Sequence, residues 1–235
     1  MSDIPNLIAA NAERWEAAAS TRDASPVARK LLAAKTRYQT VSAKTGVPWF
    51  VIAVIHEREA SQDWAGSLAQ GDSWNRVSVH VPAGRGPFRS WEDAAVDALM
   101  NCPPHAARWT DWSAGGTLTL LEQYNGLGYA SRGVPSPYIW AGTDQYRCGK
   151  YVRDGVYDSA VIDRQLGCAS LLKAMMALDP TITFATSETE RTVRSRPPAP
   201  PLRKTRPPKP SISNPTKGSI GAFFIALLRS VLGRK

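Results

Sequence analysis

Seven consecutive apolar residues, Trp49–Ile55, are followed at once by His56-Glu57-Arg58-Glu59. An apolar run without a polar stripe predicts a helix buried on all sides. Pro48 suits its start, so a helix is expected over 49–61, ending in a sharp polar switch. Two helices precede it. One runs from Pro5 to Ala19 with proline in its first turn, and one from Ser25-Pro26 to about Lys44, where Gly46 stops it. The pattern then changes. Gly66, Gly71-Asp72, Asn75, Gly84 and Gly86 are turn residues, and Val77, Val79 and Val81 alternate with Ser78 and His80. Period-two alternation predicts a short strand or hairpin within 65–87, limited by Pro82. Helical signals return at Ser90, which with Asp93 can form a variant capping box ahead of Ala94–Met100. Thr117–Tyr124 reads as a short helix ended by Asn125-Gly126, and a loop rich in glycine, proline and aromatics extends from Gly126 to Asp154. A long last helix is expected over Asp158–Leu178, ended by Asp179-Pro180. Helices, a small β insertion and helices again make an α+β fold that is mainly helical.

Beyond residue 185 the character of the chain changes. Residues 194–215 hold eight prolines among arginine, lysine and serine, a composition that cannot bury enough apolar surface to offset its chain entropy. Further on, Ile220, Phe223, Phe224, Leu227, Leu228, Val231 and Leu232 form one apolar stripe at helical spacing, flanked by Lys217, Arg229, Arg234 and Lys235. The expected organisation is a folded domain over 1–185, a basic proline-rich linker over 186–217 and a cationic amphipathic helix over 218–235. Such a helix has the makeup of an interfacial segment, and its expected partner is an anionic membrane or lipopolysaccharide. Docking on the domain, or pairing with another copy, is the alternative.

Charge supports this division. Residues 187–235 carry eleven Lys/Arg against Glu188 and Glu190, whereas the first 186 residues carry 18 cations and 18 anions. The net charge of +9 therefore belongs to the tail, and the domain is not a basic nucleic-acid-binding fold. All eight tryptophans lie between Trp15 and Trp140, where a core can form. Cys102, Cys148 and Cys168 are widely spaced and are expected to be reduced packing residues. No metal-ligand spacing occurs around His56, His80 and His105, and no cofactor is expected. Met1–Trp15 has neither a basic start nor an apolar run. Synthesis in the cytoplasm without a Sec signal is therefore expected.

The carboxylates at the polar switch carry the chemistry. Glycoside cleavage needs a carboxyl group kept protonated near neutral pH, often with a second, ionised one across the bond. A glutamate at the C-terminal end of a buried helix suits the first role, because desolvation and the negative end of the helix dipole both raise its pKa. Glu59 follows Ile52 by seven residues and Ile55 by four, on the same face as both. Glu57 points about 200° away around the helix, and either glutamate is a candidate on position alone.

The segment His56-Glu57-Arg58-Glu59-Ala60-Ser61, with Gln70-Gly71-Asp72 and Val79-His80-Val81-Pro82-Ala83-Gly84-Arg85, resembles the catalytic helix and β lobe of phage endolysins of the lysozyme superfamily. Glu122-Gln123-Tyr124-Asn125-Gly126-Leu127-Gly128-Tyr129, Ser136-Pro137-Tyr138-Ile139-Trp140 and Gly149-Lys150-Tyr151-Val152 continue the likeness over about residues 45–178. The resemblance implies a lysozyme-like fold acting on peptidoglycan glycan strands at the bacterial cell wall. It implies Glu59 as general acid and Asp72 as second carboxylate, with Asp63 a weaker candidate. Tyr124 and Asn125 would line the cleft, and Tyr138, Trp140 and Tyr151 would be sugar-stacking platforms. The superfamily includes lytic transglycosylases, which use one glutamate as acid and base, so hydrolysis and transglycosylation both remain open. A wall-binding module without turnover is a further reading.

Overall fold

The computed structural model describes residues 3–153 and 155–186, all within one compact unit, Met1–Arg196. The expected linker beyond Thr186 and the apolar stripe over 218–235 lie outside the described residues. Within them the chain is mainly helical with one small antiparallel sheet, the α+β class that the hydrophobic pattern predicts.

The central element is α4 (Trp49–Ala60), started by Pro48. Val51, Ile52, Ala53, Val54 and Ile55 have no exposed surface, and burial of each large one contributes ~1.5–3 kcal/mol. It packs against α2 (Ser25–Ala33), α3 (Lys35–Thr45) and α9 (Cys168–Leu178). The helix expected from Ser25 to Lys44 is thus two, broken at Ala34 and closed at Gly46, whose φ of +75° is the left-handed conformation glycine adopts freely. Next, α5 (Trp91–Asn101) begins at Ser90, whose hydroxyl accepts the Asp93 N–H at 3.1 Å. This is the forward half of the expected capping box.

On the other side of the core, α1 (Ile4–Ala17) lies along α6 (Ala114–Asn125). A Cβ at position 115 would collide with the Ile8 carbonyl and Ala12, so Gly115 sets how closely these helices meet. Two single-turn helices follow, α7 (Gly128–Ser131) and α8 (Pro137–Trp140), within what the sequence suggests is loop.

Two expectations are corrected. Residues 77–81 form no strand. Val77, Val79 and Val81 are 54%, 77% and 88% exposed, while the polar Ser78 between them is buried. Ser78 ties the loop shut instead. Its N–H donates to the Arg85 carbonyl at 2.8 Å, and its hydroxyl donates to that of Pro82 at 2.9 Å. The hairpin lies elsewhere, as β1 (Lys150–Arg153) and β2 (Val156–Asp158), paired Lys150 to Asp158 and Tyr151 to Tyr157 with a register shift before Arg153. Its last residue, Asp158, is the first of the expected last helix, and residues 159–167 are neither helix nor strand, so α9 begins only at Cys168. Asp163 also competes with helix here, since its carboxylate accepts the Gln165 N–H at 3.1 Å. Of the three free cysteines, Cys102 and Cys168 are buried as expected, but Cys148 is exposed.

Candidate functional site

The last turn of α4 carries four polar residues in four different surroundings. His56 is fully buried, with Nδ1 2.9 Å from the Tyr38 hydroxyl and Nε2 3.0 Å from the Asp63 carbonyl. A carbonyl only accepts, so Nε2 carries the proton and Nδ1 accepts from Tyr38. Burial holds this imidazole below its ordinary pKa, and it acts as a neutral strut between α3, α4 and the chain leaving α4. Glu57 is also buried, and the Gln62 amide donates to its Oε2 at 2.6 Å. That contact follows from an unusual turn, in which Ser61 and Gln62, neither of them glycine, have φ of +49° and +62°. Such residues cost about 1–3 kcal/mol each and concentrate at functional sites.

Arg58 points into a salt-bridge cluster. Its guanidinium donates to Asp163 at 3.2 Å and to the Leu166 carbonyl at 3.1 Å, and lies 4.7 Å from the Tyr138 ring centre. Lys150 meets the other oxygen of Asp163 at 3.0 Å. Burial pushes the Asp163 carboxyl up, but the Lys150 hydrogen bond and the Arg58 charge outweigh it and hold it below its usual range.

Glu59 differs from all three. Among the described residues no cation pairs with it. Its one side-chain partner is the buried Tyr138 hydroxyl, which donates to Oε1 at 2.8 Å. Burial raises the carboxyl pKa to about 7, against the opposing pull of the Tyr138 hydrogen bond and the Arg58 charge. It is therefore a carboxylic acid substantially protonated at neutral pH.

The segment that follows α4 closes over this end of the helix. Gly71 lies so close to it that a Cβ there would sit 3.0 Å from the Glu59 carbonyl oxygen, and its φ is +74°. Tyr124 fastens the turn from below. Its hydroxyl donates to the Leu68 carbonyl at 3.0 Å, and burial together with the Glu59 charge drives its pKa well above the ordinary value. Asp72 comes next, in contrasting surroundings. Its Oδ2 accepts the backbone N–H groups of Val79 and His80 at 2.8 and 2.9 Å, and its Oδ1 meets the His80 ring at 2.6 Å. The His80 backbone bond, then the ring contact, hold its pKa at about 2. Asp63 is exposed, and its carboxylate caps the Ala65 N–H at 2.9 Å as a turn residue.

Beside the α4 terminus lies a cleft of about 460 Å³, lined by Arg58, Asn125, Tyr138, Lys150, Tyr151 and Arg153 among others. Asn125 and Tyr151 line this cleft, whereas Tyr124, expected beside Asn125, is not in its lining. Glu59 is not among its lining residues, but Tyr138 belongs to the wall and reaches Glu59 through its hydroxyl. Two expected platforms are corrected. Trp140 is 1% exposed and lies in the core, and Tyr138 is too buried to stack a sugar. The single turn of α8 sends one ring into the core and the other toward Glu59. The sequence did not point to the Arg58–Asp163–Lys150 cluster, whose members are up to 105 residues apart.

No family model, curated protein or solved structure matches this chain.

Proposed function

We propose that the chain cleaves the β-1,4 bond between N-acetylmuramic acid and N-acetylglucosamine in peptidoglycan, on a lysozyme-like domain of the endolysin kind. The observation that carries this reading is the state of Glu59, a desolvated carboxyl group at a helix terminus, with no ion-pair partner among the described residues and aligned by one phenol. A group protonated near pH 7 is what a glycosidic leaving oxygen requires. Glu59 gives its proton to that oxygen as the bond to the anomeric carbon breaks. The carboxylate so formed then takes a proton from the nucleophile that attacks the same carbon.

A single-carboxylate route is favoured by Asp72, whose oxygens are already engaged by Val79 and His80. Asp72 is assigned to shaping the 78–85 loop. With water as nucleophile the product carries a reducing end. With the C6 hydroxyl of the same sugar it is a 1,6-anhydro sugar, and the enzyme is a lytic transglycosylase. The test is digestion of purified sacculi by the full chain, followed by mass spectrometry of the soluble products. Muropeptides with either kind of end are expected from the wild type and not from Glu59→Gln. Binding without any release would replace this reading by that of a wall-binding module.

A further inference from the structure

The cleft carries more positive charge than a neutral sugar needs. Among the described residues, Arg58, Lys150 and Arg153 face it and Asp163 is the one carboxylate in its lining. Asp163 is fully used, because Oδ1 takes Lys150 and the Gln165 N–H while Oδ2 takes Arg58. Lys150 spends one of its three donors on this bond and its side chain is 39% exposed. Arg153 is exposed and has no partner among the described residues.

The backbone builds this arrangement deliberately. In a regular strand Lys150 would face away from Tyr151, and Arg153 away from Lys150. The register shift between Tyr151 and Arg153 breaks that alternation, and all three residues line the cleft. The hairpin is then pinned. Tyr129, Tyr151 and Tyr157 pack edge to face with ring centres 5.0–6.2 Å apart, the Tyr129 hydroxyl accepts the Tyr151 N–H at 3.0 Å, and Arg132 donates to the Tyr151 hydroxyl at 2.9 Å. Two cationic ends are thus held on a rigid wall that shares Tyr138 with the acid.

We infer that Lys150 and Arg153 form a subsite for a carboxylate carried on the side chain of a sugar, so that the substrate is an anionic glycan and not a neutral one. This rests on the glycan-cleaving function proposed above. In peptidoglycan such carboxylates come from the stem peptide or, where the peptide has been removed, from the lactyl ether.

Three substrates of similar length separate the cases: peptide-bearing strands, strands stripped by an amidase so that the lactyl carboxylate is free, and the neutral chitohexaose. In low salt, the wild type should show a KM at least tenfold lower for one or both anionic strands than for chitohexaose, and which of the two benefits identifies the carboxylate. Arg153→Gln should shrink that preference about tenfold through KM, and Arg153→Lys should restore most of it. Equal KM values for all three substrates would overturn the subsite while leaving the cleavage reaction standing, as would a preference that Arg153→Gln does not alter. Failure to cut any of the three would overturn both.

Discussion

Glu59 and Asp72 lie on neighbouring segments, since Gly71 touches the carbonyl of Glu59, yet the two carboxyl groups are prepared in opposite ways. Glu59 ends a buried helix and has a single phenol for company, and its pKa stands at about 7. Asp72 sits in a polar loop, accepts two backbone N–H groups and a histidine ring, and its pKa is held at about 2. One region withholds stabilisation from a negative charge and the other supplies it in excess. A desolvated carboxyl with no ion-pair partner among the described residues is costly to keep, and the function proposed above gives it a use.

The largest expected effect separates the two in turnover. Glu59→Gln should lower the rate of glycan cleavage by about 10²–10⁴, the range for removal of a general acid. Glu57→Gln and Asp72→Asn should each stay within about tenfold of the wild type, because Gln62 occupies the Glu57 carboxylate and Val79 and His80 occupy that of Asp72. A collapse of activity in Asp72→Asn with an intact loop would return the second carboxylate to the reaction.

A smaller effect, opposite in sign at the two sites, should appear in stability. The folded pKa of Glu59 lies above its unfolded value. Its contribution is therefore most favourable below about pH 4.5, declines as pH rises toward 7, and stays low beyond. Glu59→Gln removes that penalty and should stabilise the protein at pH 8 by on the order of 3 kcal/mol, with the gain vanishing at pH 4. For Asp72 the folded pKa is depressed, so its contribution is present above about pH 4 and is lost as pH falls through 2. Asp72→Asn should lower the melting temperature at neutral pH, and the difference should close in acid. Thermal melts across pH 1.5–8 read both trends.

How far each feature could be read from the sequence follows from how local its cause is. The buried helix and the raised carboxyl at its end are legible, because Trp49–Ile55 and Glu59 lie within eleven residues and burial of the one fixes the surroundings of the other. The hairpin was misplaced. Valines at 77, 79 and 81 have strand spacing but no partner strand, and Asp72 and Ser78 claim the backbone groups a ladder would use. A true hairpin signal was present in Tyr151-Val152-Arg153-Asp154-Gly155-Val156-Tyr157, where Asp-Gly is flanked by β-formers. The cationic cleft was not legible, since Arg58 and Asp163 meet only through tertiary packing. The fate of Tyr138 and Trp140 was equally hidden. Both rings are buried, and only the placement of α8 decides which one carries its polar atom to the acid.

The central claim is that Glu59 and Asp72 are pushed in opposite directions, so that Glu59 keeps its proton toward neutral pH while Asp72 loses its own in acid. Carbon-13 NMR titration of the side-chain carboxyls in the full chain, with Glu59→Gln and Asp72→Asn as assignment controls, tests it directly. The account predicts a resonance with a midpoint near pH 7 that disappears in Glu59→Gln, and one near pH 2 that disappears in Asp72→Asn. A Glu59 midpoint at or below about 4.5, the range of an ordinary glutamate, would contradict it.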